Sequence, residues 1–461
     1  MATPTLTPHA KLPPGPKARF FNATIFPFRR NPLKFMSSLA AEYGDIVFFR
    51  NGVERFFLIS HPDHIKDMLV TSARKFAKGR ALERSRLLLG RGLLTSEGEV
   101  HLRQRRLMQP AFHRQRIAGY AQAMVSYAVR WRERWRDGQD FDVHEQMTSL
   151  TLAIVGKTLF NADVESDASE VMHAITDAFS LFHLIMVPFS EYLEKIPFSP
   201  VRKLTRARER LDRIIYRIIE ERRKSGADQG DLLSMLLNAQ DDAAEGDGRG
   251  MSDHQLRDEC ITLFLAGHET TANLLTWTWY LLAQNPEAAE KLYAEVDSAL
   301  SSRLPSFDDV DRLPYTERVV SEALRMYPPA WIVGRRALED HQFGDYQVPK
   351  GSLVAASQWI VHHDVRFFPE PYRFDPDRWL PEARAARHKF SYFPFAAGPR
   401  QCIGEGFAWA EAILILATLA QKWRMELLPG QHIEVHPMIT LRPSAPVRMK
   451  VRERCSPRPG P

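Results

Sequence analysis

The stretch SDHQLRDECITLFLAGHETTANLLTWTWYLLAQNP, residues 252–286, constrains the fold more than any other part of the chain. Ser252 and Gln255 stand in capping-box spacing and Asn285-Pro286 is a stop signal. The pattern predicts one helix of about thirty residues, a rod of roughly 45 Å at ~1.5 Å per residue. A rod that long is a central spine. Its middle is chemically odd: after the apolar ITLFLA come Gly267, His268, Glu269, Thr270 and Thr271 before apolar residues resume. The Thr270 hydroxyl can bond back to the carbonyl of Ala266 and, beside Gly267, open a kink or groove. A polar object is expected there. The competing reading is a solvated turn, or Thr and Glu satisfied by neighbouring helices, because a short polar interruption is a weak motif alone.

Around this spine the chain reads as one large body with a small lobe. Its 461 residues contain no central Gly/Ser or Pro-rich linker, and 44% hydrophobic with 26% charged residues is ordinary globular composition. Residues 1–18 are Pro-rich and read as extended, 453–461 as a frayed tail, and 238–251 as a polar Gly/Asp stretch taken for a mobile surface loop. Most of the rest is helical. Two β-rich runs flank Asn51-Gly52, the signature of a type I′ hairpin, and a second strand-like region runs from Trp331 to about Trp359 with Gly344, Pro349 and Gly351 at its turns. Mainly α with a smaller β-rich lobe, assembled from the early and late chain, is the expected class. The longest apolar runs, residues 274–283 and 412–420, are shorter than the ~18 residues of a bilayer span, and the N-terminus has no hydrophobic signal core. A cytoplasmic location without a membrane span is expected.

Three cysteines, Cys260, Cys402 and Cys455, are too few and too scattered for a disulfide framework or a zinc ribbon. The net charge of +6 is spread out, with no basic stripe interleaved with stacking aromatics, so no nucleic-acid partner is expected and an acidic protein fits better. A cysteine that matters acts alone, and FPFAAGPRQCIG, residues 393–404, shows which. Gly398 and Gly404 let backbone approach a large flat object, Pro399 fixes the turn, and Arg400 places a cation two residues from Cys402, ahead of an apolar helix whose N-terminus favours a thiolate. The design fits a metal-bound thiolate, and the metal must bring its other ligands, as haem iron does. The alternative is a buried, inert cysteine.

The spacing Phe395, Gly398, Arg400, Cys402, Gly404 resembles the haem-binding loop of the cytochrome P-450 superfamily at all five positions, and the resemblance extends from about residue 12 to 452. It implies that fold, with the long helix over the haem, a single catalytic domain over residues 19–452, haem b as cofactor and Cys402 as the iron ligand. Ala266, Gly267, Glu269, Thr270 and Thr271 match the family's oxygen-activation motif. The match implies that Thr270 hydrogen-bonds the dioxygen being activated and that Glu269 helps relay protons. Glu322 and Arg325 match Glu-x-x-Arg, and with Arg378 of FDPDRW they resemble the family's buried structural network. By spacing alone such an acid–base pair is a surface ion pair. Arg400, His101, Arg105 and Arg335 are the candidate partners of the haem propionates, with His101 standing where the family usually has Trp; a solvated basic face is the rival reading for the arginines. Arg103, Arg106, Arg114 and Arg116 are expected to steer an acidic redox partner. No flavin or iron–sulfur domain is attached, so electrons come from a separate ferredoxin or flavodoxin with its NAD(P)H reductase.

The implied reaction is a monooxygenation of a hydrophobic small molecule by O2. Candidate substrate-facing segments are 76–94, the Phe- and Met-rich 178–198 with Phe179 and Phe182, the spine at Ala266, then Trp331 and Ile332, and a C-terminal turn with Met438. All are apolar, which favours a terpene, fatty acid, steroid or polyketide, although such stripes are more often core than pocket. The alternatives are a haem-thiolate sensor or electron carrier without oxygenase turnover, a helical binding protein without cofactor, and a peroxide-driven oxygenase; the retained Glu269–Thr270 pair argues against the last.

Overall fold

The computed structural model describes residues 11–16, 24–162, 199–238 and 251–454. The chain divides into two compact units. The first comprises residues 1–83, 325–373 and 381–402, and the second 84–324, 374–380 and 403–461.

The first unit is built on a five-stranded sheet in the spatial order Ile46–Asn51, Glu54–Ile59, Leu353–Ala356, Val333–Ala337, Phe76–Lys78. Early and late chain meet through the parallel pairing of Phe56–Ile59 with Leu353–Ala356. A parallel neighbour needs covered faces, and these central strands are buried over Phe56–Ile59 and Val354–Ala356. Their side chains join Met68, Phe76, Val361 and Phe393 in one apolar core. The edge strand is protected: Phe48 N–H donates to the carbonyl of Pro14 at 3.0 Å, so the extended residues 11–16 cover backbone groups that would otherwise invite pairing. The turn corrects one expectation. The last pair is Asn51 with Glu54, so the two loop residues are Gly52 and Val53. Gly52 takes φ +63° and Val53 keeps a negative φ. That is the type II′ arrangement, with Gly at the first central position, and Asn51 belongs to the strand.

The second unit is helical. The predicted spine is one uninterrupted helix, Asp253–Gln284, with the Ser252 hydroxyl accepting from Gln255 N–H at 3.3 Å and Pro286 opening the next helix. The helix continues through Gly267, and the Thr270 hydroxyl donates to the carbonyl of Ala266 at 2.8 Å. It packs along Val143–Phe160, and Glu405–Ala420 packs along Arg114–Arg134. Val143–Phe160 and Glu405–Ala420 are both buried over most of their length, residues 150–156 and 410–420 without a break, as helices packed on several sides must be. A three-stranded sheet (Asp140–Asp142, Arg448–Glu453, Trp423–Leu427) and a hairpin (Val435–Pro437, Leu441–Pro443) complete the unit. Among the described residues no helix is long and apolar enough to cross a membrane.

Candidate functional site

In the first unit the Cys402 loop is built almost entirely from backbone. Cys402 N–H donates to the carbonyl of Phe395 at 3.0 Å and Gln401 N–H to that of Gly398 at 3.0 Å, closing the turn around Pro399 and Arg400. Gly398 has φ +71°, and a Cβ there would overlap the carbonyl oxygen of Leu69, so only glycine lets the loop lie against that helix turn. Ala396 is held at φ +57°, an unusual conformation for a residue with a side chain. The outcome is a cysteine on the exposed side of an over-determined loop, two positions before Gly404, the N-cap of Glu405–Ala420. Cys260, by contrast, is buried in the spine, and burial pushes its thiol up, which leaves it inert. Cys455 lies outside the described residues. Arg335 is buried in its strand, with one guanidinium N–H on the carbonyl of Gly334. Trp331 is buried, its carbonyl accepting from the Ser357 hydroxyl at 2.8 Å, while Ile332 is half-buried.

Arg325 also belongs to the first unit. Fully buried, it donates to the carbonyls of His362 and Pro371 at 2.8 and 2.7 Å and lies over the Phe368 ring. Glu322, in the second unit, is equally buried, is ion-paired with Arg378 at 3.3 Å, and accepts from Trp379 Nε1 at 3.0 Å and Asp375 N–H at 3.1 Å. These residues act as fixed hydrogen-bond hubs, with carbonyl acceptors offsetting the desolvation of the Arg325 cation and N–H donors that of the Glu322 carboxylate.

The second unit holds the oxygen-activation motif. From Leu256 to Leu282 every spine residue is buried except Ala266, Gly267, Thr270 and Tyr280. Ala266 is exposed, and Gly267 and Thr270 are half-buried, in the middle of a helix otherwise sealed by its neighbours. Gly267 faces Val155, whose methyl would stand 3.0 Å from an added Cβ. The gap therefore opens along Ala266 and Thr270, one turn apart on the same face.

Glu269 points elsewhere. It is buried, and its Oε1 accepts from Arg442 Nε at 2.5 Å, the Thr440 hydroxyl at 2.8 Å and Asn273 Nδ2 at 3.1 Å. Burial raises its carboxyl, but the charge and hydrogen bond of Arg442 outweigh that and hold it at about 2. The neighbouring His268 and His144 are both pushed down by burial. Glu411, in the helix after the cysteine, goes the other way: burial pushes it up to about 8 against a smaller lowering from the Thr271 hydroxyl.

The remaining sequence candidates are placed as follows. His101 is buried and Arg105 half-buried on the Gly98–Met108 helix. Arg114 is ion-paired with Asp311 at 2.5 Å and Arg116 donates to the carbonyl of Gly230, both at the surface. Met438 is half-buried and Ile439 is 36% exposed at the tip of the C-terminal hairpin. Phe179 and Phe182 lie outside the described residues. Sequence reasoning missed Arg442, Thr440 and Asn273. It also missed Asp258 and Glu259, which accept from Arg91 N–H at 2.7 Å and Leu93 N–H at 2.8 Å. The signal available was Asn273 and Trp277 following Glu269 at helical four-residue spacing.

The donor chemistry fits haem. Among the described residues no group of three or more His, Cys, Asp or Glu side chains could hold a metal ion, so a metal at Cys402 must bring its remaining ligands. Haem does, and a single exposed cysteine on a rigid loop is what it requires.

The family model for cytochrome P450 matches residues 13–451. Cyclooctatin synthase of Streptomyces melanosporofaciens is 40% identical over 91% of this chain and 91% of its own. Cyclooctat-9-en-7-ol 5-monooxygenase of the same organism is 37% identical over 87% and 86%. Pentalenene oxygenase of Streptomyces avermitilis is 35% identical over 92% and 93%.

Proposed function

The chain belongs to the cytochrome P450 family and is a haem-dependent monooxygenase, and from that premise we propose that it hydroxylates a bulky cyclic terpene hydrocarbon or its alcohol. The cofactor of this reading is haem b. The electrons come from a separate ferredoxin or flavodoxin with its NAD(P)H reductase. When bound, haem supplies the oxidative chemistry: one atom of O2 enters a C–H bond of the substrate and the other leaves as water, with two electrons and two protons consumed.

The chain's own residues do the rest. Cys402 provides the thiolate, held by the Phe395 carbonyl and the Gly398 turn so that little reorganisation accompanies binding. Phe395 and Gly404 flank it in the loop. Arg400, Arg335, His101 and Arg105 are the donors assigned to the two propionates. Thr270 handles a proton at Oγ1. Its hydroxyl proton is committed to the Ala266 carbonyl at rest, so delivery requires the rotor to swing away from that carbonyl, which a hydroxyl does at small cost.

Substrate class rests on the polarity of the surfaces left open. Ala266, Met438 and Ile439 are apolar and accessible, and Leu94 is 37% exposed. No Lys or Arg follows Arg257 on the spine, so nothing there anchors a carboxylate. Two of the relatives carry names that denote an alkenol, cyclooctat-9-en-7-ol, and an alkene, pentalenene, which favours terpenes over fatty acids, steroids or polyketides.

The observation that carries this reading is the accessible Ala266–Thr270 face in an otherwise sealed helix. The test is a Soret titration of the purified haem protein with cyclic terpenes, followed by product analysis with a surrogate redox pair. The expected result is a red-shifted thiolate band in the reduced carbon monoxide complex, lost in Cys402→Ser. Thr270→Ala is expected to keep consuming O2 while product per O2 falls roughly tenfold. A histidine-type carbon monoxide band, or full coupling in Thr270→Ala, overturns the assignment.

A further inference from the structure

The acid beside Thr270 is engaged in something other than proton traffic. Glu269, Asn273 and Trp277 lie four residues apart and form one stripe of the spine helix. Each meets the second strand of the C-terminal hairpin. Glu269 accepts from Arg442 Nε and the Thr440 hydroxyl, Asn273 Nδ2 donates to Thr440 Oγ1 at 3.2 Å, and Trp277 Nε1 donates to the carbonyl of Leu441 at 3.2 Å. Thr440, Leu441 and Arg442 are thus each tied to the spine, over two helical turns. The tip is fixed in turn, because Met438 N–H donates to the carbonyl of Thr440 at 3.1 Å. Met438 and Ile439 are left accessible at that tip, and consecutive helix positions differ by about 100° in direction. The hairpin is therefore docked one step around the helix from the accessible Ala266–Thr270 face.

We propose that Glu269 is a positioning residue: its carboxylate clamps Arg442 and Thr440 and so holds Met438 and Ile439 as a fixed wall that selects which carbon of the substrate is hydroxylated. This rests on the monooxygenase reading for its consequence but not for the clamp itself. An ionised carboxylate accepting three hydrogen bonds inside the protein is a strong anchor, because each donor also offsets its desolvation. The same bonds make it a poor proton donor near neutral pH. A wall that shifts by a fraction of an ångström changes which C–H bond is presented, since reacting atoms must meet within a narrow range of approach.

The experiment uses the full-length haem protein and two readouts. The first is amide hydrogen exchange of residues 435–443 without substrate. The second is the product regioisomer ratio and O2 coupling, measured on whichever cyclic terpene gives the largest Soret shift with the wild type. The variants are Arg442→Gln, Glu269→Gln, Thr440→Val, which removes only a hydroxyl, and Arg442→Lys as the conservative rescue. Exchange is expected to rise about tenfold in Arg442→Gln and Glu269→Gln, by less in Thr440→Val, and to return towards the wild-type rate in Arg442→Lys. The regioisomer ratio is expected to change in parallel in Arg442→Gln and Glu269→Gln, and the double variant to be no worse than either single one. A proton relay predicts a different pattern: lost coupling with an altered solvent isotope effect in Glu269→Gln, and wild-type behaviour in Arg442→Gln. That pattern overturns the proposal, as does unchanged exchange in Arg442→Gln or a changed exchange with an unchanged product ratio. If no terpene is bound or oxidised by the wild type, the functional reading falls, and the exchange rates alone decide the clamp.

Discussion

Near its start the spine helix holds residues 88–93 through three consecutive side chains, whereas further along it holds residues 440–442 through three side chains spaced four apart. The first set grips backbone. Arg257 Nη2 donates to the carbonyl of Leu88 at 3.2 Å, Asp258 accepts from Arg91 N–H and Glu259 from Leu93 N–H. The second set grips mostly side chains, the Arg442 guanidinium and the Thr440 hydroxyl. Backbone donors are present in any sequence, so the first loop can change its exposed side chains without loosening. The second loop keeps one backbone tie, Leu441 to Trp277, and otherwise depends on Thr440 and Arg442. Both loops belong to candidate substrate-facing segments, so the difference separates a wall that can vary from one that is specified.

The most damaging way to break the first grip is to change its glycines. A Cβ at Gly92 would overlap the carbonyl oxygen of Asp258 and the Thr262 hydroxyl, and at Gly90, with φ +66°, it would overlap the Asp258 carboxylate. The spine backbone cannot retreat, so the loop must leave. Gly92→Ala is expected to destabilise the protein by about 4 kcal/mol, read from urea midpoints, since overpacking against backbone combines with a buried carboxylate losing its donor. Arg91→Ala is the control. Its side chain is exposed and only its backbone is used, the N–H on Asp258 and the carbonyl accepting from Gln104, so a change within about 0.5 kcal/mol is expected. A large loss in Arg91→Ala would mean that the loop is held by side chains after all.

The second grip is smaller in effect and depends on pH. Glu269 sits at about 2, below its ordinary 4.5, so its contribution is fully present above about 4.5 and is lost as pH falls through 2. Facing it are the permanent charge of Arg442 and two histidines, His268 and His144, that burial keeps neutral at pH 7. Glu269→Gln is expected to cost about 2 kcal/mol at pH 7, with the gap to wild type narrowing as unfolding is repeated towards pH 3. A gap independent of pH would show that shape rather than charge holds the hairpin.

The two grips were unequally legible in the sequence. The spine itself was readable, because caps and stop signals are local: Ser252 accepts from Gln255 as its spacing implied. The Cys402 motif was readable for the same reason, its spacing from Phe395 to Gly404 being local, whereas the close approach of Gly398 to Leu69 has no local signature. The one-residue slip at Gly52 shows the limit of local reading, since Asn51-Gly52 and Gly52-Val53 both place Gly in a two-residue turn and only the strand register chooses. Glu269 with Arg442 spans 173 positions, and no pattern in either segment names the other. Asp258 and Glu259 went unnoticed because their partners are amides, which carry no sequence signature. Arg325 likewise donates to the carbonyls of His362 and Pro371, which carry no sequence signature.

The sharpest comparison comes from single hydrogen bonds within the second grip. Thr440→Val removes a hydroxyl that both donates to Glu269 and accepts from Asn273, while Trp277→Phe removes one indole N–H from the Leu441 carbonyl. Neutral hydrogen bonds contribute about 1 kcal/mol net, and those to a charged group about twice that. On bond chemistry alone, therefore, Thr440→Val should cost more than Trp277→Phe, whose partner is a neutral carbonyl. Packing pulls the other way, because Trp277 is among the largest fully buried side chains and Phe leaves a void where the indole was. The two contributions separate by readout. Global unfolding should fall more for Trp277→Phe, whereas local exchange at residues 435–443 should rise more for Thr440→Val. If Trp277→Phe also leads in local exchange, the hairpin is held by the apolar face of the spine, and the carboxylate beside Thr270 becomes free to move.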